Sequence, residues 1–569
     1  MFGIKDNFLG AKKRIRIFFR SRKRSQLRRS IQKINQQVDA LVKKIPSLEK
    51  KQQKILFALS FSFCEVNRIH DWMLAQALKL RGAKVVALVE GVVQEGETSV
   101  LGGIWGSYND NPEHNRKQFE KNSKLVQEAD TELWQQWLNI VPFELSQYIS
   151  ENQKNIVRQT VEIYNLADYA SWNYDAMPVG RWIIDIIKNN ELVGDIECVI
   201  NYEKKLRAYL FNIILMIEAL NKALDDINPD VIYSNGSFYY PWSIIKIIAA
   251  RKNIPYFNST IGYVRNTWCY NFNADVVPTD FSRVWQGWRD RVLSENEKLL
   301  VEEYLKKGKT GVNMNVNTAN PASCVTKVVQ QSLSHIDFSK PTFLLPINII
   351  WDAAALEVPK AFGAMPNWLE KVINFFKNKP EYNLILKTHP GEWNKYFPIT
   401  RQGMYEFCLN LNLTRNIVCL RPDTNIQAYD LFDYITAGLV FTTTLGIEMA
   451  CAGVPVVTLG HAPYAQKGFT YDPKNYEEYF SLLEALANNS VTSQERLDNQ
   501  QQARKFLYLY HFIYSMKFDL FDYSLTGHNV LNFSNADALR PGNNKMFDYV
   551  CDSIINHWPI ISEDRWPNF

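Results

Sequence analysis

The chain has 569 residues, more than one hydrophobic core normally supports, and its apolar fraction of 46% excludes wholesale disorder. A net charge of +5 hides an asymmetry: residues 1–54 hold 17 Lys and Arg against three acids, which leaves the remainder at about −9. No run of 18 uncharged apolar residues occurs, and the eight cysteines are scattered without a C-x-x-C pair; this argues against a membrane-spanning helix and a thiolate metal site and suits a reducing cytoplasm.

Residues 1–53 read as a basic amphipathic extension. Lys12 to Arg20 mixes cations with Phe18 and Phe19, and Leu27, Ile31, Ile34, Val38, Leu41 and Ile45 then form one helical stripe that ends before Pro46. Residues 1–45 are expected to lie on an anionic inner leaflet, each cation near the surface adding on the order of 1 kcal/mol. The competing reading is a solvated tail followed by a helix docked on the body. Nucleic acid is disfavoured, because the body is acidic and no recognition motif accompanies the charge. No apolar h-region follows the basic residues, so the expected location is cytoplasmic, peripheral on the inner face of the cytoplasmic membrane.

A first Rossmann-like domain is expected over 54–312. Ile55 to Leu59 is a short strand, Asn67 to Arg81 has helical periodicity, and Lys84 to Val89 is a second strand, a βαβ unit without G-x-G-x-x-G. The loop after the first strand offers Glu65, Asn67, Arg68, His70 and Asp71 to an acceptor. Glu65 is a candidate base and Asn67 a candidate acceptor contact; a cap and surface charge are the bland alternatives. A helical insertion covers about 115–225. The α/β pattern resumes at Val231, and Asn235 and Gly236 at that strand's end are further acceptor-side candidates, set against ordinary turn chemistry. A charged helix over Leu293 to Leu305 precedes an Asn-rich linker, 313–339.

The second Rossmann-like domain is placed at 340–490, opening with the strand Thr342 to Pro346. Trp351 and Asp352 then line a cleft, with Asp352 as a second candidate base. The buried run Leu384 to Leu386 delivers Lys387, Thr388 and His389 to a strand's carboxyl end, where ligands sit in open α/β sheets. Thr442, Thr443 and Thr444, followed by Gly446 and a helix ending at Gly453, make a hydroxyl-rich turn with N–H groups suited to a phosphate. Glu448 is a candidate partner for ribose hydroxyls, with a salt bridge as the alternative. Residues 491–569 are expected to be helices packing back on the body, Arg504 to Phe518 among them.

The Lys-Thr-His-Pro segment, the turn from Thr442 to Glu448 and the stretch Gly460 to Thr470 resemble bacterial capsule polysaccharide biosynthesis proteins, a group related to the Kdo transferases of capsule assembly. The resemblance is best over about 340–475 and implies an α/β chain of two Rossmann-like domains facing across a cleft, GT-B-like, behind the basic helical extension. It implies a glycosyltransferase that moves a sugar, Kdo or another acidic sugar among the options, from a nucleotide donor to a capsular or surface polysaccharide or its lipid-linked precursor. A CMP-linked donor is favoured, with no cofactor and no metal. Lys387, His389, Thr442, Thr443, Thr444, Gly446 and Glu448 then hold the donor, and His461 and Lys467 reach a sugar carboxylate. Two other readings stand beside it: a CDP-polyol phosphotransferase of the teichoic-acid type, and a non-catalytic capsule-assembly component.

Overall fold

The computed structural model describes residues 25–44, 52–91, 111–236, 238–275, 279–308, 333–356, 362–393, 400–459, 462–523 and 529–567. The first sheet contains β1 (Lys54–Ala58), β2 (Lys84–Val89), β3 (Phe143–Glu144), β4 (Val231–Asn235), β5 (Tyr256–Ile261) and β6 (Thr267–Phe272). The second contains β7 (Thr342–Pro346), β8 (Asn383–Lys387), β9 (Ile417–Leu420), β10 (Ala437–Val440) and β11 (Val456–Thr458). A late strand, β12 (Met516–Lys517), returns to the free edge of β6.

The strand orders are β3-β2-β1-β4-β5-β6-β12 and β9-β8-β7-β10-β11. Apart from antiparallel β6 and β12, each is the same five-stranded parallel arrangement, reversing at β1/β4 in one and at β7/β10 in the other. The chain is thus an α/β protein with two Rossmann-like sheets. Crevices open at such reversals, outside the carboxyl ends of the strands. Parallel strands covered on both faces read as unbroken apolar runs, which is why all of β7 and β8 is buried.

The amino-terminal helix, α1 (residues 25–42), corrects one expectation. Leu27, Ile31, Ile34 and Val38 do form a single stripe, but it is buried in one cluster with Ile69, Trp72 and Met73 of α2 (Glu65–Lys79). Asn35 Oδ1 accepts from Trp72 Nε1 at 2.8 Å and from Gln76 Nε2 at 2.7 Å. Helical periodicity says that a face will be covered, not by what; here the protein's own body covers the face that had been offered to a membrane. Residues 1–24, with Phe18 and Phe19, lie outside the described residues.

α2 starts at Glu65, two residues earlier than expected, because an acid in the first turn complements the helix start. Asn67 therefore belongs to the buried face of the helix and does not cap it. The segment read as an insertion carries α3 (Pro112–Asp130), α4 (Glu151–Glu162), α5 (Val179–Glu191) and α6 (Tyr202–Ile227), and it also contributes β3 to the sheet. α7 (Tyr240–Arg251) and α8 (Ser282–Trp288) follow. α9 (Glu295–Gly308) begins after a reciprocal cap, Ser294 N–H to Glu297 Oε2 at 2.7 Å and Glu297 N–H to Ser294 Oγ at 3.4 Å, which sets its start past Leu293.

The carboxyl-terminal region is not helical throughout, contrary to expectation. The helix Ser493–Tyr508 widens into a π-helical turn over Leu509–Tyr514 and stops, and β12 then pairs Met516 with Trp268 and Lys517 with Thr267. Met516 is buried while Lys517 points to solvent, the alternation of an edge strand. Beyond it, Phe518, Phe547, Val550 and Ile554 share the core of α1 and α2. Among the described residues no helix is long and apolar enough to cross a membrane.

Candidate active site

Three strand ends converge beside the β7/β10 reversal. At the end of β8, Lys387 is only 6% exposed and its Nζ donates to Thr388 O at 3.0 Å. Among the described residues no carboxylate lies at ion-pair distance from its ammonium; burial draws it down to about 8, the charges of Glu392 and Asp423 opposing from further off. Thr388, expected to face a ligand, turns inward, its hydroxyl donating to Leu420 O at 2.5 Å. His389 Nδ1 accepts the Gly391 N–H at 2.9 Å. A ring nitrogen that accepts does not carry the hydrogen, so the neutral imidazole holds its N–H at Nε2. Burial, and then the Lys387 charge, lower His389 to about 4, so at pH 7 it is a neutral donor.

The reversal itself is bridged by Asn348, which follows β7 and whose Oδ1 accepts the Thr442 N–H at 3.4 Å. Gly391 packs against both neighbours: a Cβ there would meet Ile349 Cδ1 at 2.7 Å and His389 Nδ1 at 2.8 Å. Sequence reasoning passed over Asn348, although it is the one polar residue between Leu344 and Trp351. It also passed over Glu392, a buried carboxyl that accepts the Met404 N–H at 2.8 Å and is pushed by burial up to about 7.

The Thr turn departs from expectation. The helix after it, Leu445–Cys451, has seven residues. Its first N–H groups bond back to the turn, Leu445 to Thr443 Oγ1 at 3.4 Å, Gly446 to Thr443 O at 3.2 Å and Ile447 to Thr444 O at 3.1 Å. They are taken up within the turn and are not held open for an anion. The turn instead presents the half-buried side chains of Thr443 and Thr444. Gly446 serves packing: a Cβ there would lie 2.0 Å from the Tyr464 hydroxyl, which itself donates to Thr443 O at 2.6 Å.

Glu448 is not turned to a ribose or to a cation. It accepts from the hydroxyls of Tyr429 at 2.7 Å and Tyr304 at 3.2 Å, and burial pushes its carboxyl up to about 7. Lys467 Nζ is directed at α8, donating to Ser282 Oγ at 3.1 Å and to Ala465 O at 3.0 Å. His461 lies outside the described residues.

In the first sheet the matching reversal, β1/β4, is filled. Asn67 Nδ2 donates to Asn235 Oδ1 at 2.9 Å, and Asn235 Nδ2 to Asp71 Oδ1 at 3.1 Å. The same oxygen accepts from the Tyr233 hydroxyl at 3.2 Å and lies 3.3 Å from His70 Nδ1. His70 Nε2 is 2.5 Å from the Tyr270 hydroxyl, and the ring stacks on Trp268 with 4.0 Å between centroids. Burial lowers His70, its bond to Asp71 opposing. Buried polar groups gain by bonding to one another, and among the described residues bonded here only Asp71 Oδ2 and Asn67 Oδ1 are without a hydrogen-bond partner. Asn67 and Asn235, read as acceptor contacts, are therefore interior members of this network. Gly236, at φ +141°, gives way to the Trp242 ring, 2.5 Å from where a Cβ would stand.

Two carboxylates were candidates for the base. Glu65, one-third exposed, accepts from Asn529 Nδ2 at 2.8 Å and lies 3.9 Å from the Arg68 guanidinium. Asp352 is exposed beyond β7, and its charge adds to burial in raising the phenols of Tyr239 and Tyr263 at the carboxyl edge of the first sheet. The segment that carries Asp352 meets the first domain, Asn189 Nδ2 donating to Trp351 O at 3.3 Å. Among the described residues no group of three or more His, Cys, Asp and Glu is placed to hold a metal ion.

Residues 327–491 match the family model described as capsule polysaccharide biosynthesis protein. No curated protein matches the chain. Among solved structures, KpsC, beta Kdo 2,4 transferase, of Thermosulfurimonas dismutans is 15% identical with a TM-score of 0.30, over 46% of this chain and 78% of that one. The UDP-GlcNAc 2-epimerase of Neisseria meningitidis is 10% identical with a TM-score of 0.23, over 80% and 98%. MurG of Acinetobacter baumannii is 12% identical with a TM-score of 0.25, over 80% and 95%. Likenesses this distant carry no argument, and the fold rests on the strand orders above. The match takes in Lys387, His389, Asn348 and the Thr turn, so the segment that builds the second crevice is the part of the chain that is similar to capsule polysaccharide biosynthesis proteins.

Proposed function

We propose that the chain is a glycosyltransferase that moves a sugar from a nucleotide donor to a capsular or surface polysaccharide or its lipid-linked precursor. The observation that carries this reading is Lys387 beside His389: a buried ammonium with no carboxylate at ion-pair distance among the described residues, next to an imidazole that donates at Nε2, at the carboxyl end of β8. Burying a charge away from close counter-charges is costly, and an incoming phosphate offsets that cost. As the bond from sugar to phosphate breaks, negative charge grows on the leaving oxygens, and donors already in place stabilise it. Thr443 adds a hydroxyl from the other side of the reversal.

One cation and one imidazole suit a monophosphate leaving group better than a diphosphate, which supports a CMP-linked donor and with it an acidic sugar such as Kdo. Asp352 is the base in this scheme, because it is exposed in the segment that meets the first domain, where Asn189 Nδ2 donates to Trp351 O at 3.3 Å. Residues 1–24 are proposed to hold the enzyme at the inner leaflet.

The test is thermal stabilisation by CMP, CDP, UDP, GDP and TDP, since a ligand that binds only the folded state raises its apparent stability. CMP should shift the wild type and leave His389→Ala unmoved. A shift with CDP together with phosphorus in the product would replace the reading with polyol-phosphate transfer. No shift with any nucleotide would replace it with a non-catalytic assembly component.

A further inference from the structure

A second cavity, of about 940 Å³, lies where the helical region of the first domain meets the second. One wall comes from Tyr169 and from Lys188 on α5; the other comes from Trp393, Arg401, Glu406 and Asn410. The cavity is built before any ligand arrives. Gln402 Oε1 accepts two successive N–H groups of the facing loop, Gly194 and Asp195, each at 3.0 Å. Arg401 holds Glu191 at 2.7 Å, and its N–H donates to Leu192 O at 3.1 Å. The Trp393 ring is fixed by the Arg421 guanidinium, 5.0 Å from its centroid, and by the edge of Tyr405 at 5.6 Å.

The lining is neither apolar nor of one charge. A lipid tail needs the first and a nucleotide needs cations at its phosphates. Aromatic faces interleaved with amides and with balanced cations and carboxylates suit a ligand with hydroxyls around its edge and C–H groups on its faces, which is a sugar chain. The volume, at the top of the range for ligand pockets, is roomy enough for more than one ring.

The cavity also adjoins the proposed chemistry on both sides. Trp393 closes the helical turn Pro390–Trp393 that begins directly after His389. Thr400, at the cavity wall, accepts from Trp351 Nε1 at 2.9 Å, and Trp351 precedes Asp352. A chain lying in the cavity therefore has one end near the base and the donor. We infer that this cavity is an acceptor subsite that holds the saccharide chain behind the accepting sugar. The inference rests on the glycosyltransferase reading.

The probe is a hexasaccharide fraction cut from the source cell's own surface polysaccharide, titrated calorimetrically into the full-length protein, alongside thermal stabilisation of the same samples by CMP. Trp393→Ala is expected to weaken saccharide binding at least tenfold and the exposed Glu406→Ala and Asn410→Ala several-fold, while all three keep the CMP shift. The surface variants cover the case in which Trp393→Ala does not fold. Saccharide binding unchanged in the variants, or absent in a wild type that CMP still shifts, overturns the subsite and leaves the transferase reading standing. Loss of the CMP shift in the wild type itself sinks the transferase reading instead, and the subsite as an acceptor site with it.

Discussion

The two crevices have the same strand order and opposite contents. At the β1/β4 reversal, His70, Asp71, Tyr233, Asn235 and Tyr270 are interior and bonded to one another. At the β7/β10 reversal and the adjoining end of β8, the hydrogen bond of Lys387 among the described residues goes to a carbonyl, and His389 keeps a donor at Nε2. A histidine beside an aspartate looks more catalytic in a sequence than one beside a proline. Under the proposed function the reverse holds: the His70 ring is tied at both nitrogens inside a network that, among the described residues, leaves only Asp71 Oδ2 and Asn67 Oδ1 without partners, whereas His389 uses Nδ1 within its own turn and has Nε2 for a ligand.

The sharpest way to break this contrast is Lys387→Met. It should lower the transfer rate about 100-fold or more, as for other donors to developing charge, while leaving the ligand-free protein at least as stable in urea, since the desolvation cost of a buried cation is gone. A large loss of stability with nucleotide binding intact would make Lys387 structural. The converse substitution, His70→Ala, should cost on the order of 3 kcal/mol in urea unfolding, as a buried network loses a member, with the nucleotide affinity unmoved. A nucleotide affinity that falls with it would mean that the two crevices are coupled.

Glu448 tests the second domain more finely. Its folded carboxyl is raised to about 7, so the folded state holds the proton more tightly than the unfolded chain does. The stability linked to that proton is fully present below the unfolded value near 4.5 and is lost as pH rises through 7. Wild type and Glu448→Gln should therefore diverge between pH 4.5 and 7, the wild type losing up to about 3 kcal/mol relative to the variant. Parallel stability curves across that window would show that burial does not hold the proton there. The smallest effect is expected from Thr443→Val, which keeps the side chain's shape and removes its hydroxyl. If that hydroxyl meets the phosphate, the Kd for CMP rises about tenfold, the worth of one hydrogen bond to a charged group; an unchanged Kd would assign the turn to packing alone.

Much of the fold was legible because period and composition are local. Thr342 to Pro346 was read to the residue, and the Leu384 to His389 segment announced a buried strand ending in polar groups. What was not legible depends on partners far along the chain. The stripe from Leu27 to Val38 shows a face without naming its cover, which is α2. Glu448 owes its state to burial, and one of the hydroxyls that meet it there, Tyr304, comes from 144 residues away. The Thr turn looked open to an anion because a helix start has free N–H groups in general; the short helix that follows uses them. The tautomer of His389 hangs on the backbone N–H of Gly391, which no side-chain pattern reveals.

The return of the chain through β12 bears on how the protein can be cut. Met516 pairs with Trp268, Phe518, Phe547, Val550 and Ile554 pack in the core of α1 and α2, and Arg81 pairs with Asp548. A fragment ending at residue 312 would thus lack part of its own interior, and its bared α2 surface would drive it into aggregates. In the other direction, Trp285 and Trp288 of α8 share a core with Val440 and Ile447, so a fragment starting at 340 leaves that face uncovered. The two sheets are separate in architecture and interlocked in sequence. Expression of either half will need the missing segment supplied in trans or spliced on, and a pair of complementary fragments that reassemble would behave as one folding unit.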